Sequence, residues 1–95
     1  MKYKISKPAF AKLIDKVLER EWPAKVKVDQ VENGVNISLS KFGTSTLYFS
    51  IIKQAGDLIT VELAKTKVSF FHKKYMADVK DAVRVLFVKS GAKEV

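Results

Sequence analysis

His72 is the only histidine in the chain, and Lys73 and Lys74 follow it directly. A general base or a metal ligand needs partners. The chain has no cysteine and no His-based ligand spacing such as HExxH. His72 is therefore expected to serve structure or surface. Serine and threonine are frequent, but no GxSxG turn frames a nucleophile. Glycines stand singly at 34, 43, 56 and 91, one to a turn, so no glycine-rich loop cradles phosphate. Asp57, Glu62, Asp78 and Asp81 would form a carboxylate pair only if the fold happened to bring them together. These residues point away from an enzyme, a metal centre or a cofactor.

The basic residues carry the remaining chemistry. The net charge is +8, and most of the excess lies toward the two ends. Residues 1–23 hold six basic and three acidic groups, and residues 73–95 hold the same numbers. Such a balance favours polyanionic partners, either nucleic acid or an acidic protein surface, although solubility alone would also explain it. If a helix begins near Lys73, then His72, Lys73 and Lys74 crowd the positive end of its dipole. That is unfavourable by a few tenths to about 1 kcal/mol. A phosphate docked there would reverse the sign. The alternative is a helix that starts elsewhere, with both lysines simply in water. Lys80 and Arg84 lie on the same predicted helix.

A sheet must position these groups. Residues 35–39, 47–51 and 59–63 each alternate apolar with mostly polar residues, the pattern of a strand buried on one face. Asn33-Gly34 predicts a two-residue hairpin loop setting Val28 opposite Leu39. Residues 42–44 predict a three-residue loop setting Leu39 against Leu47. Residues 54–56 predict another, with Ile51 opposite Ile59 and Phe49 opposite Val61. A strand over 24–32 points Val26 and Val28 inward and Lys25 and Lys27 outward, and lysine suits an edge strand. The outward face then offers Asn36, Ser38, Ser40, Thr46, Ser50, Ile52, Thr60 and Glu62 around one central aromatic, Tyr48.

Helices flank the sheet. Ser6 is a plausible cap, Pro8 fits the first turn, and Phe10, Leu13, Ile14, Val17, Leu18 and Trp22 form one apolar stripe that Pro23 ends. Lys12, Lys16 and Arg20 occupy the other side. Lys65-Thr66-Lys67 reads as a turn. Val68, Phe70 and His72 alternate like a fifth strand, or else Ser69 caps the last helix. From Lys73 onward Met76, Val79, Val83, Leu86 and Phe87 form a second stripe, Ser90-Gly91 stops it, and the last four residues fray. Lys2 to Ile5 add a short edge strand or a loose arm. The expected fold is α+β over a single domain, 1–95. It runs helix, four- or five-stranded antiparallel meander, helix, in a two-layer sandwich with both helices on one sheet face. No apolar run is long enough to span a bilayer and no signal-peptide core is present, so a cytoplasmic setting without a membrane is expected.

The order of elements resembles that of frataxin-like proteins, whose acidic ridge implies iron binding. Lys12, Lys16, Arg20, Lys25 and Lys27 fall in that region here, which argues against iron. The order and basic charge also resemble the Alu-RNA-binding subunits of the signal recognition particle, with at least one strand more. Both are likenesses of layout alone.

Two functions follow as expectations. The first is a non-enzymatic domain binding DNA or RNA, gripping phosphates with Lys25, Lys27, Lys73, Lys74, Lys80 and Arg84, with Tyr48 on the open face. The hydroxyl-rich face suits backbone contacts better than base stacking. The second is a protein-binding adaptor or inhibitor, of the phage or regulatory type, docking on an acidic partner. A structural subunit of a larger assembly is a third.

Overall fold

The computed structural model describes residues 1–95. β1 (Lys2–Ser6) leads into α1 (Lys7–Glu19). The meander follows as β2 (Lys25–Val31), β3 (Gly34–Ser40), β4 (Thr44–Ala55) and β5 (Leu58–Lys67). A single 3-10 turn, Phe70–His72, precedes α2 (Met76–Lys89) and β6 (Lys93–Glu94). The sheet has six strands in the order β2-β3-β4-β5-β1-β6, not four or five. The two additional strands come from the chain ends. β1 is no edge arm but an internal strand antiparallel to β5. The C-terminus does not fray: Lys93 and Glu94 pair with Lys4 and Tyr3, and the Val95 N–H donates to the Lys2 carbonyl at 2.9 Å.

Local chemistry accounts for the helix ends. The Ser6 hydroxyl accepts from the Ala9 N–H at 3.3 Å, and Pro8 sits in the first turn as its missing donor allows. At the other end the Trp22 indole N–H donates to the Val17 carbonyl at 2.7 Å, satisfying one of the orphan acceptors there. α2 closes on Gly91 at a φ of 87°. The Gly91 N–H reaches the Val88 carbonyl and the Ala92 N–H the Phe87 carbonyl, both at 3.1 Å, a Schellman ending.

Both helices cover one sheet face. Phe10, Leu13 and Val17 of α1 and Met76, Val79, Val83 and Phe87 of α2 are buried against Tyr3, Ile37, Leu39, Phe49 and Val61. The Phe87 ring joins the two layers. It stacks on Tyr3 at 4.4 Å and meets Phe49 at 5.6 Å and Phe10 at 6.3 Å. Leu18, expected in the α1 stripe, is exposed.

The register differs from the expected one by two residues at the first two hairpins and along Phe49–Ile51 of the third, and by three beside the third turn. Val28 pairs with Ile37, Ile37 with Leu47, and Phe49 with Leu63. The turns are Glu32-Asn33, Lys41 to Gly43, and Gly56-Asp57. Asn33, rather than Gly34, takes the left-handed φ of 62°. A shift of two keeps each side chain on its face, so the buried set survives, and the irregularity at Ile52 confines the odd shift to Lys53–Ala55. β4 and β5 are also irregular near Ile52 and Ala64, which have no partner in the ladder.

The segment after β5 is neither a fifth meander strand nor the start of α2. It forms the 3-10 turn, and α2 begins at Met76, three residues after Lys73.

Candidate nucleic-acid interface

The sheet face away from the helices is open, and the irregularity at Ala64 determines what stands on it. Through Glu62 and Leu63 the strand alternates outward and inward. Strict alternation would turn Lys65 and Lys67 into the core, at the cost of burying two unpaired charges. The extra residue resets the phase, so Lys65 pairs with outward Tyr48 and Lys67 with outward Thr46. The expected turn at Lys65-Thr66-Lys67 is thus the end of a strand, and it adds two cations to the open face.

The pairing lays out rows. Lys27, Ser38, Thr46 and Lys67 line up across β2, β3, β4 and β5. With strands about 4.8 Å apart, that row spans about 14 Å of backbone. Beside it run Asp29, Asn36, Tyr48 and Lys65. Lys25 stands opposite Ser40 at the end of the face. Asn36, Thr46, Tyr48, Lys65 and Lys67 line a shallow depression. The lysines are free to bind. The one contact among them, Lys27 to Asp29 at 3.8 Å, is between exposed groups and holds little energy.

Tyr48 is half-buried because it leans over Gly34. A Cβ at position 34 would lie 2.7 Å from the Tyr48 ring and 2.5 Å from the Phe49 carbonyl oxygen. The glycine is required for room, and the ring covers the backbone it leaves bare.

The expected site residues divide between the two layers. Lys25, Lys27 and Tyr48 share the open face. Lys80 and Arg84 lie on α2, in the opposite layer. The Arg84 guanidinium is engaged by Asp81 at 2.8 and 3.1 Å, and these hydrogen bonds, then the carboxylate charge, raise its pKa further. Lys73 and Lys74 precede α2 rather than begin it.

Lys73 instead belongs to a cluster the sequence did not reveal. Phe42, Phe70 and Phe71 are 82%, 77% and 59% exposed. Phe71 lies 6.4 Å from Phe42 and 5.8 Å from Phe70, ring centre to ring centre, and the Lys73 ammonium stands 5.8 Å over Phe70. Beneath them His72 is fully buried. Its Nε2 donates to the Lys41 carbonyl at 2.8 Å, since a carbonyl can only accept. In the neutral ring Nδ1 then accepts from the Ser45 hydroxyl at 2.5 Å, and the Ser45 oxygen accepts from the Ser69 N–H at 2.8 Å. His72 thus has the structural role expected of it. It ties the Lys41–Gly43 loop, β4 and the 3-10 turn into one piece. The cluster sits at the end of the sheet where Lys25 and Lys67 also lie. The signal available in the sequence was Phe-Phe-His-Lys-Lys: two aromatics in a short connecting segment beside cations.

No helix is long and apolar enough to cross a membrane, and no three His, Cys, Asp or Glu residues stand together as metal ligands would. No protein-family model matches the chain, and no curated protein or solved structure matches it.

Proposed function

We propose that this chain is a small, basic, non-enzymatic domain that binds nucleic acid through its open sheet face, gripping the phosphate backbone. The supporting observation is the row Lys27, Ser38, Thr46, Lys67, which crosses four strands with cations at both ends and no acidic residue in it. Lys65 and Lys25 widen it. Between the cations stand hydroxyl and amide groups, which donate to phosphate oxygens without reading sequence. A polyanion with evenly repeated charge fits such a surface. An acidic protein would meet the same lysines and hydroxyls, but with charges spaced less regularly than along a phosphate backbone. The setting we propose is cytoplasmic, where nucleic acid is accessible and a chain without cysteine loses nothing.

Fluorescence anisotropy with a mixed-sequence duplex, titrated across salt concentrations, tests this. Each phosphate neutralised contributes about −0.9 to the slope of log K against log salt. The double variant Lys65→Ala, Lys67→Ala should weaken binding similarly for all sequences and make the slope shallower by roughly two units. Lys80→Ala should leave the slope unchanged. Absence of binding to duplex and to single strands at about 50 mM salt would overturn the proposal in favour of an acidic protein partner.

A further inference from the structure

We infer that Phe42, Phe70 and Phe71 are a stacking platform for unpaired bases, so that the domain takes a single-stranded stretch of nucleic acid at the end of its basic face. The inference rests on the phosphate-binding reading above and names the form of nucleic acid it selects.

Three observations converge. The first is an inversion of burial. Hydrophobicity should bury Phe70 and Phe71 and expose His72, yet His72 is fully buried and both phenylalanines face solvent. Three neighbouring exposed rings form an apolar patch of a kind that marks interaction sites. The second is rigidity. Through its side-chain hydrogen bonds His72 joins Lys41, Ser45 and Ser69, the residues that frame the three rings. Gly43 lets the two segments touch, since a Cβ there would meet the Ser69 side chain. Rings held this way lose little freedom when a ligand stacks on them. The third is strain. Phe42 holds a φ of 58°, a region a bulky side chain rarely adopts and glycine adopts freely. A phenylalanine kept in a left-handed position and exposed contributes nothing to the core. Its use lies outside the fold.

Charge selects the occupant. Residues 33–56 and 63–77 contain no aspartate or glutamate, and Lys41, Lys65, Lys67, Lys73 and Lys74 are distributed among them. Aromatic rings beside lysines match a strand whose bases stack while its phosphates contact cations. A closed duplex cannot offer base faces to these rings. Single strands should therefore use the platform and the lysines together, and duplexes the lysines alone.

Anisotropy titrations of the full chain with a labelled mixed-sequence single strand, and with the duplex of the same length, test the inference. Phe42→Gly and Phe71→Ala are the variants, each checked by urea melting. Both should lose roughly 5- to 100-fold in affinity for the single strand and change duplex affinity less than about twofold. Phe42→Gly should do so while melting at no lower urea concentration. Equal loss for both ligands, or no loss for either, overturns the platform. If Lys65→Ala, Lys67→Ala still weakens both ligands in that case, the phosphate-binding reading stands without it. Failure of the unaltered chain to bind either ligand overturns both. Self-association abolished by Phe42→Gly in sedimentation, or cosedimentation with phosphatidylserine vesicles abolished by Phe71→Ala, would give the rings to another occupant and also overturn the inference.

Discussion

Replacing His72 by Phe keeps a flat ring of similar size beside Tyr75, 5.4 Å away, but removes both ring nitrogens. The Lys41 carbonyl then loses its donor and the Ser45 hydroxyl loses its acceptor. A buried group left unsatisfied costs about 1–3 kcal/mol, and the Lys41 carbonyl, only part-buried, falls at the low end. Two such groups give a loss of roughly 3 kcal/mol, a large fraction of the 5–15 kcal/mol typical of a whole domain. With a urea m-value of about 1.5 kcal/mol/M, the midpoint should fall by about 2 M. Ser45→Ala should cost about 2 kcal/mol by removing the acceptor of the Ser69 N–H as well as the Nδ1 contact. Because the two residues share one hydrogen bond, the double variant should cost at least ~0.5 kcal/mol less than the sum of the singles. Urea melts followed by circular dichroism give the energies, and amide hydrogen exchange at Ser69 reports the local effect. A loss below ~1 kcal/mol for His72→Phe, with Ser69 still protected, would show that the imidazole does not hold the aromatic end together.

Three further outcomes follow from the core and the open face. Phe49→Ala should cost about 3–5 kcal/mol, because Phe49 is buried against Phe87, while half-buried Tyr48→Ala should cost about 1 kcal/mol; similar losses in urea would mean the two sheet faces are misassigned. Gly34→Ala should destabilise by roughly 1–3 kcal/mol, since its Cβ would press on the fixed Phe49 carbonyl; a neutral effect would refute the close approach. Tyr3 is buried with no protein partner for its hydroxyl, and burial first, then the Glu94 charge, raises its pKa above the usual 10.0, opposed in part by Arg84. The unfolded chain then releases the Tyr3 proton before the folded one does, so stability is intact below pH ~10 and falls as pH rises above it. Tyr3→Phe should flatten that fall and change stability at neutral pH by no more than about 1 kcal/mol, provided the hydroxyl is unbonded; urea midpoints from neutral to alkaline pH measure both.

Much of the scaffold was legible because face assignment depends only on parity. The alternation in 35–39, 47–51 and 59–63 places Ile37, Leu47, Phe49 and Val61 on the buried face even though the loops predict every hairpin two or three residues out of register. Both helices were legible from their stripes, and Ser6 from its capping chemistry. What escaped depends on contacts distant in sequence. β1 and β6 are too short to show a pattern of their own and exist through pairing with β5 and with each other. The irregularity at Ala64 has no local signature. Without it the alternation had to stop at Leu63, so Lys65 and Lys67 could only be read as a turn.

Several departures from the expected structure gather in one place. Lys67, the Lys41–Gly43 loop, Ser69 and the Phe70–His72 turn all meet at one end of the sheet. Elsewhere in the chain, apart from the irregularity at Ile52, exposed Leu18 and the unbonded Tyr3 hydroxyl, propensity, burial pattern and pairing agree. At this end they conflict in three independent ways: strand phase is broken to expose lysines, burial is inverted between phenylalanine and histidine, and an aromatic residue holds a glycine conformation. The phase change and the buried imidazole also serve the fold, but nothing in the core requires the exposed rings. Each conflict adds exposed charge or exposed ring surface at the same place, and the imidazole that stabilises the arrangement is fully buried. Local rules broken together, in one direction and at one site, are the pattern expected where selection acts on binding rather than on stability. In the binding proposed above, the lysines at this end of the sheet would supply attraction and the rings discrimination.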